Sequence, residues 1–347
     1  MKKITVIGHF GFGLNYLDGQ TVKTKILAEE LERRFGSDQV IKIDTHGGIK
    51  SLFKAPFQVL SSLSKSKNVI ILPAHNGLRI YAPLLSICRV FFKSRKIHYS
   101  VIGGWLPSLL KKRPLLAKFL KSFDGIYPET ATMKNALQAL GFQNIFVVPN
   151  CKKLIALSAD QLVYSDREPY RLCTFSRVMK EKGIEDAVNA VIAVNEKAEK
   201  TAFTLDIYGP IDSEQIQWFE DLQKQFPDFI NYKGSVAFDK SVETLSGYCA
   251  LLFPTRFFTE GIPGTILDAY AAGIPVISSK WESFADVVDH GVTGICYDFN
   301  RPQQLENLLH EARLNPQLLS SMKLNCIKKA NDFLPENVIN TLSEQLA

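Results

Sequence analysis

Arg171-Leu-Cys-Thr-Phe-Ser176 is a short, mostly apolar run. Ile184 to Glu199 follows with the spacing of an amphipathic helix, and Phe203-Thr-Leu-Asp-Ile-Tyr208 is a second short run, closed by Gly209-Pro210. Strand, helix, strand in that order is the signature of a parallel pair, because parallel neighbours need a crossover between them. The same rhythm continues outward in both directions. Towards the carboxyl terminus, Phe229 to Lys233 and Ala250 to Phe253 read as strands, then comes a helix near Thr265 to Ala272 and a strand from Pro275 to Ser279. Towards the amino terminus, Ile4 to Ile7, Val40 to Asp44, Asn68 to Leu72 and Lys96 to Ile102 read as strands. A helix from Gln20 to Phe35, ended by Gly36, falls between the first two. Two such cycles in series predict an α/β protein with two Rossmann-like domains, each a parallel sheet covered on both faces.

The length of 347 residues suits two domains, and a composition 46% hydrophobic and 22% charged allows each a core. The polar stretch Leu157 to Pro169 is the natural linker. The expected division is therefore 1–165, 166–330, and a carboxyl-terminal helix in 331–347 packing back towards the first domain. No run of 18 apolar residues is present, so no transmembrane helix is expected. Met1-Lys-Lys-Ile-Thr-Val-Ile-Gly8 begins as a signal peptide would, but its apolar run is too short, and it reads as a first buried strand. The six cysteines are scattered without a C-x-x-C pair, which points to reduced thiols and a cytoplasmic location. Asp never recurs at i, i+2, so a paired-aspartate metal site is not expected.

Two stretches carry the chemistry. In Glu260-Gly-Ile-Pro-Gly-Thr-Ile-Leu-Asp268, Glu260 lies in the loop after the strand Ala250 to Phe253, and Gly261, Pro263 and Gly264 keep that loop compact. A helix starting near Thr265 would offer free amides and a positive dipole end to a phosphate. Glu260 before it and Asp268 in it are placed to hold sugar and ribose hydroxyls. The alternative is a helix capping box in Thr265 to Asp268, with Gly273 and Pro275 as an ordinary helix stop. The second stretch, Phe175-Ser-Arg-Val-Met-Lys-Glu-Lys-Gly183, puts Arg177 and Lys182 in a strand-to-helix loop, where they can neutralise a diphosphate. A solvated basic loop is the alternative there.

Phe175-Ser-Arg177, Glu181-Lys182-Gly183, Leu205-Asp-Ile-Tyr-Gly209, Lys233-Gly234, Glu260-Gly261, Asp268-Ala-Tyr-Ala-Ala-Gly273-Ile-Pro-Val276 and His290-Gly-Val-Thr-Gly294 occur in that order. Together they resemble glycosyltransferase family 4 across residues 171 to 300, and more weakly across 1 to 150. The resemblance implies the GT-B fold, two Rossmann-like domains facing each other across a cleft, and retention of anomeric configuration. It implies a catalytic set of Glu260, Arg177 and Lys182. Donor-binding positions would be Asp268, Gly261, Gly264, Thr265, Ile266, Gly209, Ser235 and Val236, with Gly11 and Gly13 from the first domain. Asp268 stands where the family usually has Glu, and Pro263 where it often has Gly. These departures resemble a surface-polysaccharide subgroup.

In the first domain, Gly8-His-Phe-Gly11-Phe-Gly13 spaces its glycines G-x-x-G-x-G, not the dinucleotide pattern G-x-G-x-x-G, although Asp44 would suit a ribose. The family often places a helpful His after a first-domain strand. His9, His75 and His98 are the candidates, and the counterpart stretch Val101-Ile-Gly-Gly104-Trp105 has none. From Thr45 to Phe123 there are 14 Lys or Arg and no Asp or Glu, while the rest of the chain has 27 basic and 35 acidic residues. A basic, amphipathic stretch from Leu109 to Phe123 lies inside that span. If its helix starts at Pro114, Leu115, Leu116, Phe119, Leu120 and Phe123 share one face, which can simply pack on the sheet. The charge points to an anionic membrane surface met through residues 89–121, and peripheral attachment at the inner face of the cell membrane. No recognition motif supports nucleic acid.

The expected activity is sugar transfer from a nucleotide-sugar, a co-substrate and not a cofactor, to a saccharide or polyprenyl-linked acceptor, without metal. The alternatives are an NAD(P)-dependent oxidoreductase using Gly8 to Gly13 and Asp44, a GT-B nucleotide-sugar epimerase, and a non-catalytic nucleotide-binding module.

Overall fold

The computed structural model describes residues 2–13, 19–47, 53–165 and 167–346. The chain forms two compact units, residues 1–153 with 333–347, and residues 154–332. The division falls ahead of the boundary expected near residue 165. Part of the polar stretch read as a linker packs on the second unit, where the Leu157 amide donates to the Ala271 carbonyl at 2.8 Å and Leu162 is buried.

In the first unit the strands are β1 (Lys2–Gly8), β2 (Val40–Asp44), β3 (Ser66–Ile71), β4 (Lys96–Ser100) and β5 (Gly125–Tyr127). They pair in parallel in the order β2-β1-β3-β4-β5. Helices cover both faces, so the central strands are apolar on both sides, and Val69, Ile70 and Ile71 are fully buried. One face packs on Val59, Leu63, Leu78, Leu85, Leu116 and Leu120. The other packs on Ile26, Leu27 and Leu31 of helix Gly19–Phe35, together with Val338, Leu342 and Leu346. The carboxyl-terminal segment thus belongs to this unit. Arg34 secures it by donating to the Glu336 carbonyl at 2.8 Å and to Asn340 Oδ1 at 2.7 Å.

Helix Pro114–Leu120 buries Leu116 and Leu120, but Leu115 is 65% exposed and drops out of the face drawn for it. The neighbouring helix His75–Cys88 covers only the stripe through Leu116 and Leu120, and Leu115 lies one step round the helix beyond it.

The second unit has β6 (Tyr170–Phe175), β7 (Phe203–Tyr208), β8 (Ile230–Gly234), β9 (Ala250–Phe253), β10 (Val276–Ser279) and β11 (Gly294–Tyr297). Their parallel order is β11-β10-β9-β6-β7-β8. The unit's first strand, β6, therefore lies beside its fourth, β9. The chain winds away from that junction in both directions, and its crossovers leave a crevice at the carboxyl ends of the two strands. In the first unit the corresponding junction lies between β1 and β3. Among the described residues no helix is long and apolar enough to cross a membrane.

Candidate functional site

The loops leaving β6 and β9 meet at the junction of the second sheet. The loop after β6 carries Arg177 and Lys182 and ends at Gly183, the start of helix Ile184–Ala198. Gly183 has φ +69°, and a Cβ there would overlap the Pro254 carbonyl, with its oxygen well inside 3.0 Å and its carbon at 2.8 Å. Only glycine permits that approach. The Arg256 amide adds a 2.8 Å hydrogen bond to the Glu181 carbonyl, and its guanidinium grips Asp186 with two bonds of 2.8 and 2.6 Å. The Asp186 bond, above all, raises the Arg256 pKa further.

This seam brings Lys182 and Glu260 together. Lys182 Nζ donates to Glu260 Oε1 in an ion pair whose side chains are 19% and 15% exposed. Thr255 Oγ1 donates to the same carboxylate oxygen at 3.1 Å and accepts from the Phe257 amide at 3.1 Å. Lys182 Nζ also stands 5.1 Å from the centre of the Phe257 ring. The carboxylate is thus oriented from two sides, by a cation and a hydroxyl.

Four residues on, helix Gly264–Ala271 begins without a side-chain cap. The capping box read as an alternative does not form, since Asp268 lies inside the helix, 2% exposed, and accepts from Ser241 Oγ at 2.8 Å. Gly261 and Ile266 are buried, and Gly264 and Thr265 are half-buried at the helix start. Thr265 Oγ1 is shielded from solvent yet has no hydrogen-bond partner.

The remaining positions lie around the same edge. Arg177 is 52% exposed and turned to Asp212, 3.4 Å away. Gly209, φ +130°, lies against the Ser176 carbonyl, and its own carbonyl accepts from Tyr232 Oη at 2.8 Å. Ser235 is exposed and Val236 half-buried in the loop after β8. The sequence reading missed Thr255, Ser241 and the Asp186–Arg256 clamp. Thr255 and Arg256 lie just past the end of β9, where ligand-facing groups are sought in such sheets. Nothing in the sequence pattern points to Ser241.

In the first unit, Gly11 is buried and Gly13 exposed in the loop after β1. Asp44 is engaged by that loop: its Oδ1 accepts from the amides of Phe10 and His46, both at 2.9 Å, and Oδ2 from Phe12 at 3.0 Å. Burial pushes its pKa up, but the amides of His46, Phe12, Phe10 and Gly11 outweigh that and hold it below the usual carboxylate range. A carboxylate so occupied is poorly placed for a ribose, which weakens the oxidoreductase reading. His98 lies in the core between Tyr127 Oη, at 2.9 Å, and Asn68 Oδ1, at 3.3 Å. Burial lowers its pKa to about 4. His75 stacks on Trp105 with ring centres 3.7 Å apart, and His9 pairs with Thr21 at 2.6 Å. Among the described residues no group of three or more His, Cys, Asp or Glu is placed to hold a metal ion.

Residues 169–312 match the family model described as Glycosyl transferases group 1, over the sheet whose junction holds Lys182 and Glu260. The match covers less than half of the chain and overlaps the stretch whose motifs resembled family 4. Over 186 residues the chain is 27% identical to a putative colanic acid biosynthesis glycosyltransferase, WcaL, of Salmonella typhimurium, covering 51% of this chain and 45% of that one. Over 145 residues it is 26% identical to a chitobiosyldiphosphodolichol beta-mannosyltransferase of Debaryomyces hansenii, covering 40% and 30%. The matched segment spans less than half the length of these curated relatives. The fold extends the likeness to the whole chain. The structure of Anabaena HepE in complex with UDP and glucose superposes with a TM-score of 0.74 at 15% identity, covering 100% of this chain and 99% of that one. The matched residues thus form most of the second unit of a two-domain α/β GT-B fold.

Proposed function

We propose that the protein is a retaining glycosyltransferase that moves a sugar from a nucleotide-sugar to a saccharide or lipid-linked acceptor in polysaccharide or glycoconjugate assembly. The observation that carries this reading is the Lys182–Glu260 pair at the junction of the sheet that the group 1 model matches, four residues before an uncapped helix start. In this account Lys182, Arg177 and the amides at Gly264 and Thr265 face the donor diphosphate, while Glu260 accepts hydrogen bonds from the transferred sugar. Asp268, Gly261, Ile266, Gly209, Ser235 and Val236 shape the surroundings of ribose and base. Gly11 and Gly13 are assigned to the donor from the first unit.

The bond from the anomeric carbon to the phosphate oxygen breaks, and its electron pair leaves on the nucleoside diphosphate. The acceptor hydroxyl oxygen forms the new bond on the same face, and its proton passes to the departing phosphate oxygen. Fixed cations and amides stabilise the charge that develops on the leaving group, and such preorganised donors are each worth about 100-fold or more in rate. The likeness to polysaccharide-assembly enzymes such as WcaL supports that setting.

Slow donor hydrolysis without acceptor, read as nucleoside diphosphate release, tests the reading. Wild type is expected to release it and Lys182→Ala to lose at least about 100-fold in rate. Equal rates in the two would contradict the assignment.

The same reading places the protein in the cytoplasm, against the inner membrane face. It is supported by Val90, Phe91 and Leu115, which are 63%, 80% and 65% exposed among Lys93, Lys111, Lys112 and Lys118. Apolar side chains that insert and lysines that meet anionic headgroups, each worth about 1 kcal/mol, give reversible attachment. Sedimentation with anionic vesicles that is lost at high salt is the expected result, and none at low salt would refute it.

A further inference from the structure

A cavity of about 340 Å³ opens in the first unit, and none of its lining residues is among those assigned to the donor. It is lined by His75 and Arg79 from helix His75–Cys88, by Trp105, and by Ser108, Lys112 and Arg113 in and after helix Leu106–Lys111. Its walls follow the carboxyl ends of β3 and β4, the edge at which open parallel sheets hold ligands. His75 and Arg79 are four apart on one helix, and Ser108 and Lys112 four apart in the facing segment, so each pair shares a face. The His75–Trp105 stack, with rings inclined by 26°, forms a flat wall between them.

Among the described residues, three cations meet here without a counter-charge. Arg79, Lys112 and Arg113 are exposed, and among the described residues none of their side chains has an ion pair or hydrogen bond to a protein group. No carboxylate occurs in the chain from Thr45 to Phe123 to supply one. Three like charges around one hollow repel each other, and a cavity that focuses such a field concentrates anions. Two guanidinium forks beside an ammonium suit tetrahedral oxyanions, with several donors for each phosphoryl group. Other arginines of the chain are matched, as Arg256 is by Asp186 and Arg89 by Asp124.

We propose that this cavity binds the phosphate or diphosphate group of the acceptor, so that the first unit selects its acceptor by charge. The proposal rests on the glycosyltransferase reading for the word acceptor, but the anion site itself does not. Inorganic pyrophosphate, titrated calorimetrically into the full chain, is the probe. Because the second unit is assigned a diphosphate site of its own, the titration is run in the Lys182→Ala background, with and without Arg79→Gln and Arg113→Gln. The expected result is binding in the Lys182→Ala protein that weakens about tenfold or more when the two arginines are removed. Pyrophosphate affinity that ignores both arginines would overturn the proposal.

A thermal-shift measurement with nucleotide-sugars on the wild-type chain separates this failure from failure of the functional reading. A shift from nucleotide-sugars, with arginine-independent pyrophosphate binding, sinks the cavity alone. Arginine-dependent pyrophosphate binding without any nucleotide-sugar shift keeps the anion site and sinks the transferase. Neutral phosphatidylcholine vesicles, with and without a polyprenyl diphosphate, distinguish the source of the anion. Retention only on the diphosphate vesicles, lost in Arg79→Gln/Arg113→Gln, assigns a lipid-linked group. Soluble pyrophosphate binding without vesicle retention assigns a soluble phosphorylated saccharide.

Discussion

Substituting Gly183 with alanine perturbs the seam on which the candidate site is built. Two costs can be worked from the structure. Gly183 sits at φ +69°, where a side chain costs about 1–2 kcal/mol. The new methyl would also overlap the Pro254 carbonyl, with the carbonyl carbon at 2.8 Å and the Pro254 Cγ at 3.0 Å. Relieving such an overlap in a packed region typically costs about 1–3 kcal/mol. Together they predict a loss of about 2–5 kcal/mol from the second unit. Because the two loops that must part carry Lys182 and Thr255, nucleoside diphosphate affinity is expected to fall as well. Urea unfolding followed by Trp218 and Trp281 emission in a Trp105→Phe background reads the second unit. Titration with a nucleoside diphosphate reads the site. A stability change within about 0.5 kcal/mol, the range of an ordinary surface substitution, would refute the reasoning, as would unchanged affinity.

Glu260→Gln removes the carboxylate but leaves Lys182 free to meet a phosphate. Nucleoside diphosphate affinity is expected to hold or rise while donor turnover falls by about 100-fold; a parallel loss of both would mean that Glu260 only props up the loop. His98 titrates at about 4 in the folded chain, below the ordinary value of 6.5, so the unfolded chain binds the extra proton between those values. The first unit should therefore lose stability as pH falls from about 6.5 towards 4, and His98→Gln should flatten that slope in urea unfolding. A slope unchanged by the substitution would place the proton elsewhere.

Much of the architecture is legible in the sequence because parallel strands buried on both faces are short, apolar and bounded by turns. β6, β7 and β9 stand out for that reason. β5 and β11 do not, since Gly125-Ile-Tyr127 and Gly294-Ile-Cys-Tyr297 are short and begin with glycine. Glu260 and Lys182 are legible as a charged residue after each of two strands, but their direct pairing, 78 residues apart, is a product of strand order. A capping box and a buried acid are indistinguishable in Thr265-Ile-Leu-Asp268, and only the packing of Ser241 separates them. The basic first unit is plain from charge counting. That Arg79, Lys112 and Arg113 converge on one hollow depends on helices His75–Cys88 and Leu106–Lys111 facing each other, which no local pattern encodes.

The central claim is that the second unit holds a nucleotide-sugar through Lys182 and its neighbours. Thermal denaturation with a panel of nucleoside diphosphates and nucleotide-sugars, on wild type and on Lys182→Ala, tests it most directly. A bound donor at 100 times its dissociation constant stabilises the unit that holds it by about 2.7 kcal/mol. The account predicts a clear upward shift for at least one nucleotide-sugar with wild type, and a much smaller one with Lys182→Ala. No shift from any member of the panel, or the same shift in both proteins, would contradict it.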